Sequence, residues 1–183
     1  MRLGLTETFE LRGAFGWLNS NQASDENISG LSFLDIGFRY NVFNGSGSQP
    51  SVGIQTEFQL NTFDQSFGAD EVAPRVLLLY TQPLNDRLSL SAVKGISWDG
   101  IRTAPSGVYT LNLGIALTGK LSTFLETYGN YDAEDFDIFF DTGLAYIMND
   151  DLQLDLTLSY GLNDEIISWF TDVGLSWRFN WRD

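Results

Sequence analysis

Three aspartates are the first candidates for chemistry. Asp137, Asp141 and Asp155 form the densest carboxylate group on the alternating strands. Carboxylates so placed could hold calcium or act as a general acid–base pair. Calcium would need an Asp-x-Asp-x-Asp-Gly loop, and the chain has none. Catalysis would need a nucleophile or pocket to accompany the pair, and no motif supplies one. The chain also contains no His and no Cys. That excludes imidazole-activated nucleophiles, most zinc and copper sites, and any disulfide framework. We therefore expect a protein that is not an enzyme, with no catalytic residues, no metal and no cofactor.

The charges make better sense as one face of a set of strands. Glu10, Arg12, Asp35, Arg39, Glu57, Glu126, Asp137, Asp141, Asp155, Asp172 and Arg178 all lie opposite rows of apolar residues. Arg75 and Lys94 are candidates to join them. These residues are expected to line an interior through which small molecules pass. Acids outnumber bases there, which favours cations. An alternative stays open: the charges pair with one another and fill the interior.

The elements that would position them are read from alternation. Leu152, Leu154, Leu156, Leu158, Tyr160 and Leu162 alternate with Gln153, Asp155, Thr157, Ser159 and Gly161. Val173, Leu175, Trp177, Phe179 and Trp181 alternate with Asp172, Gly174, Ser176, Arg178 and Asn180. A period of two places successive side chains on opposite faces of a strand, whereas a helix would scatter these leucines around its circumference. The same pattern recurs from Phe9 to Trp17, Leu34 to Val42, Val52 to Asn61, Tyr109 to Leu117 and Ile138 to Tyr146. Lys94 breaks the phase of the strand that starts at Leu88, which predicts a bulge there.

About eleven strands follow one another as hairpins. Short turns are expected at Thr6, Asn44, Asn85, Thr118 and Asn149, and longer connections from Ser20, Phe63, Trp98, Asp132 and Asn163. The longer ones are acidic (Asp25, Glu26, Asp64, Asp70, Glu71, Asp99, Asp132, Glu134, Asp135, Asp164, Glu165), which fits a solvated, non-adhesive rim. Ser20 to Gly30 reads as a polar loop.

Alternation does not say which face is enclosed. Three features favour apolar faces turned to lipid. Eleven inward rows of Leu, Ile and Phe would leave a wide dry void, because more strands make a wider barrel. The clean ladders are about 9–11 residues long, enough to cross a bilayer when tilted. Aromatics gather near strand ends, where a membrane-interface girdle belongs: Trp17, Tyr40, Tyr146, Tyr160, Trp169, Trp177 and Phe179. A net charge of −14 argues against nucleic acid as a partner. No apolar run is long enough for a transmembrane helix, and no signal-peptide pattern precedes the first strand.

Six stretches carry a resemblance: Leu3-Gly-Leu-Thr-Glu-Thr-Phe-Glu-Leu-Arg12, Pro74-Arg-Val-Leu-Leu-Leu-Tyr-Thr-Gln-Pro-Leu84, Phe140-Asp-Thr-Gly-Leu-Ala-Tyr146, Leu152-Gln-Leu-Asp155, Tyr160-Gly-Leu-Asn-Asp164 and Gly174-Leu-Ser-Trp-Arg-Phe179. In this order they resemble the outer-membrane transporter family named for the MetA pathway of phenol degradation. The resemblance implies an all-β, up-and-down antiparallel transmembrane β-barrel of 10–12 strands, with twelve in the parent family. It also implies further N-terminal sequence in that parent, and a cargo of small hydrophobic or aromatic molecules. The expectation is a single barrel domain over residues 1–183, in the bacterial outer membrane, with the lipid bilayer as its main partner. A plugged structural barrel without transport and a soluble ligand-binding barrel are the alternatives.

Overall fold

The computed structural model describes residues 1–21, 27–60, 71–101, 104–133, 135–162 and 169–179. Asp25, Glu26, Asp64, Asp70, Glu134, Asp164, Glu165 and Trp181 lie outside the described residues. Eleven strands form one sheet in sequential order, and each registered pair of neighbours runs antiparallel. They are β1 (Arg2–Gly4), β2 (Phe9–Asn21), β3 (Asn27–Phe43), β4 (Ser51–Leu60), β5 (Ala73–Pro83), β6 (Leu88–Ser97), β7 (Ser106–Ala116), β8 (Leu121–Tyr131), β9 (Phe139–Asn149), β10 (Leu152–Gly161) and β11 (Trp169–Trp177). No helix occurs among the described residues. The fold is all-β and up-and-down, as the alternation predicts.

The chain divides into two compact units. One comprises Met1–Asn44, Ser51–Leu79 and Lys94–Gly107, and the other Gly45–Pro50, Tyr80–Val93 and Val108–Asp183. In the first, β2, β3 and β4 are locked by continuous ladders, such as Glu10↔Arg39 and Gly37↔Glu57. In the second, β8 to β11 are locked in the same way, through Glu126↔Asp141, Asp141↔Ser159 and Thr157↔Asp172.

The short turns are built by one local device. A side-chain oxygen at the turn start accepts backbone N–H groups two and three residues on. Thr6 Oγ1 accepts from Thr8 and Phe9, Asn85 Oδ1 from Arg87 and Leu88, and Thr118 Oγ1 from Lys120 and Leu121. Asn149 Oδ1 accepts from Asp151 at 3.0 Å. At the turn that follows Asn44, Gly47 takes φ of 61°, a conformation that suits glycine.

Two sequence expectations change. The polar stretch Ser20 to Gly30 is strand at both its described ends: β2 runs to Asn21 and β3 starts at Asn27, with pairs from Trp17↔Leu31 to Asn21↔Asn27. Polar side chains do not stop a ladder, because the backbone groups pair with each other whatever the side chains are. The phase break predicted at Lys94 does not occur. Ser91 meets Thr81, and Ser97 accepts a hydrogen bond from Arg75. Both serines therefore sit on the same odd-numbered row of β6, one before and one after Lys94. Within the registered strand pairs of the described residues, irregularities lie at Gly16/Trp17, Asn41/Phe43 and Leu152/Gln153.

Candidate functional site

On β3, β9 and β10 the polar row is the more enclosed one. Along β10, Leu154, Leu156 and Leu158 are 38%, 47% and 52% exposed, whereas Ser159 between Leu158 and Tyr160 is 1% exposed. Along β3, Leu34, Ile36, Phe38 and Tyr40 are exposed, while Asp35, Gly37 and Arg39 are half-buried. Among the described residues, the buried apolar side chains are just Ala73 and Leu77.

In the first unit the polar rows form an ion-pair ladder. Arg12 Nη1 lies 2.8 Å from Glu10 Oε1, and its Nε lies 3.6 Å from Glu57 Oε1. Arg75 Nη1 approaches Glu57 Oε2 at 3.8 Å. Gln55 Nε2 donates to Glu57 Oε1 at 2.7 Å. Glu57, on β4, thus pairs with charges from β2 and β5.

Gly37 makes the crossing from β2 to β4 possible. In register it stands between Arg12 on one side and Glu57 on the other. A Cβ there would lie 3.0 Å from both Cα and Cγ of Glu57 and would collide with the Thr56 carbonyl. With no side chain in between, Arg12 reaches across β3. Arg39 donates from Nε to Asn41 Oδ1 at 3.1 Å and stands opposite Glu10. Asp35 stands opposite Gln59, and its enclosed Oδ1 has no hydrogen-bond partner among the described residues.

In the second unit the polar rows carry carboxylates and neutral partners. Glu126 stands directly opposite Asp141. Asn112 Nδ2 donates to Glu126 Oε2 at 2.9 Å, and Ser159 Oγ lies 3.4 Å from Asp141 Oδ2. Gln153 Nε2 donates to Asp155 Oδ1 at 2.7 Å. Asp172 stands opposite Thr157.

The predicted residues are therefore dispersed. Asp137 precedes β9; its backbone N–H donates to the Asn130 carbonyl at 2.8 Å, and its carbonyl accepts from the Tyr109 hydroxyl at 3.3 Å. Asp155 stands opposite Ala145, four positions along β9 from Asp141. No group of three acids able to hold a metal occurs among the described residues. Arg178 follows β11 and pairs with Asp151 at 3.5 Å, beside the β9–β10 turn. Arg75 joins the polar row through Glu57, but Lys94 falls on the apolar row of β6. Gln55 and Ser159, both buried, escaped selection because neutral residues on a polar row look like filler.

The aromatics chosen from the sequence are all exposed. Trp17, Tyr40, Tyr146 and Phe179 lie on or beside strands β2, β3, β9 and β11. Tyr160 and Trp169 are paired at one end of β10–β11, while Trp177 stands at the other end opposite Leu152. Those two rows are eight residues apart, roughly 26 Å along the strand. Trp177 and Phe179 also pack against each other, their rings tilted by 35° with centroids 4.4 Å apart.

No curated protein matches the chain. The family described as "Putative MetA-pathway of phenol degradation" matches residues 2–179, nearly the whole length, and the chain belongs to that family.

Proposed function

We propose that the chain is a bacterial outer-membrane β-barrel that passes small molecules passively. One observation carries this: along β3, β9 and β10 the polar row is enclosed and the leucine and aromatic row is exposed. In water, so much exposed apolar surface would drive association. In a bilayer it is the surface required. The aromatic rows at the two ends of β10–β11 would stand about 20 Å apart once the strands tilt, close to the height of an apolar band. Two threonines on the apolar rows of β8 and β9, Thr123 and Thr142, support the same assignment. Thr123 Oγ1 donates to the Gly143 carbonyl at 2.7 Å, and Thr142 Oγ1 to the Phe124 carbonyl at 2.6 Å. Their hydroxyls need no water. This surface counts against a soluble ligand-binding barrel.

The enclosed rows would line the passage. Their carboxylates Glu126, Asp141 and Asp155, with the exposed Asp172 on β11, favour cations over anions. The cargo class, small aromatic or hydrophobic molecules, follows from the family's description and from no residue of this chain. Conductance of the refolded protein in planar bilayers tests the proposal. Steady, cation-preferring openings are expected; an inserted, folded and silent protein would overturn the channel.

The Glu10–Arg12–Glu57–Arg75 ladder favours a second outcome, a barrel filled by its own charges. In that case the wild type is silent, and Glu57→Gln opens a conductance.

A further inference from the structure

β6 carries a charged side chain in the same row as its leucines, opposite its serines. On β6 that row reads Leu88, Leu90, Ala92, Lys94, Ile96. The opposite row is fixed by Ser91 against Thr81, by Ser97 accepting from Arg75 Nε at 3.3 Å, and by Gly95 lying against Leu77. Lys94 is exposed, and no carboxylate lies within ion-pair distance of it among the described residues.

We propose that Lys94 anchors the phosphate of an anionic lipid in the leaflet on the side of the longer connections. This rests on the membrane assignment above. Lys94 is three residues from Ser97, where β6 ends, so it lies about 10 Å along the strand from that end. Its aliphatic stem can stay in hydrocarbon while the ammonium rises to the headgroups. A phosphate waits at that level; hydrocarbon offers no partner. A second copy of the chain does not supply one either. Two copies meeting through their apolar rows would bring together two surfaces with no acid on any described strand, so Lys94 would remain unpaired. Charge complementarity therefore selects the lipid.

The test compares wild type, Lys94→Met and Lys94→Arg, each folded into phosphatidylcholine vesicles and into phosphatidylcholine vesicles containing phosphatidic acid. The readout is the lipid retained after detergent extraction, measured by native mass spectrometry. Lys94→Met should retain about fivefold less phosphatidic acid than wild type, the factor expected for one cation at a charged membrane surface. Lys94→Arg should retain as much as wild type, and phosphatidylcholine retention should not change. Equal phosphatidic acid retention by Lys94→Met and wild type overturns the proposal and leaves the membrane assignment standing. So does a dimer that forms with Lys94 and is lost with Met. Failure of the wild type to insert into either vesicle overturns both.

Discussion

The polar rows of β2–β5 and those of β8–β11 meet the same requirement with different residues. The first set balances Glu10, Asp35 and Glu57 against Arg12, Arg39 and Arg75. The second carries Glu126, Asp141, Asp155 and Asp172, and no Lys or Arg occurs on its strands. In the first set charges meet charges: Glu57 draws on two arginines and Gln55. In the second, carboxylates meet neutral donors from Asn112, Ser159 and Gln153. The difference teaches what each set can do. Opposite charges that pair consume their own field and stiffen the strands they join. Carboxylates held by neutral donors keep their charge for whatever passes, at the cost of mutual repulsion.

The largest expected effect comes from removing the gap that the balanced ladder needs. Gly37→Val should cost about 3 kcal/mol, because the new side chain meets the Thr56 carbonyl and Glu57 and blocks the reach of Arg12. The midpoint of urea unfolding from vesicles would show it; an unchanged midpoint would mean that Arg12 and Glu57 need no open path across β3. Next, one chemical change is made in each set. Glu57→Gln should destabilise by about 2 kcal/mol, since Arg12 and Arg75 lose their shared carboxylate. The smallest effect has the opposite sign. Glu126→Gln keeps an oxygen for Asn112 and removes a like charge from the position facing Asp141. It should stabilise by about 0.5 kcal/mol and lower the cation preference in bilayer recordings. If both substitutions moved stability in the same direction, the contrast between the two sets would fail.

Much of this is legible in the sequence. The oxygen-bearing residues Thr6, Asn85, Thr118 and Asn149 mark turns because each can cap its own backbone, a purely local matter. The number of strands follows from the same local signals. The extension of β2 and β3 through Asn21 and Asn27 was hidden, because composition reports side chains and the ladder is made by backbone. Lys94 was hidden for a related reason. A cation after Val93 reads as a change of phase, and the partners of Ser91 and Ser97 are needed to show that the phase holds.

Alternation with a period of two, set by the pleat of an extended chain, determined the strands, their two faces and the residues on each. It is symmetric with respect to inside and outside, so it left open whether leucines or carboxylates are enclosed. The tertiary structure decided that, by pairing strands so that Ser159, Asp141 and Gln55 are covered while Leu154, Leu156 and Leu158 are not. It also decided which charges meet. Arg12 and Glu57 are far apart in the chain, and they come together because β3 presents Gly37 between them. That juxtaposition depends on the register of three strands at once, which no local pattern encodes.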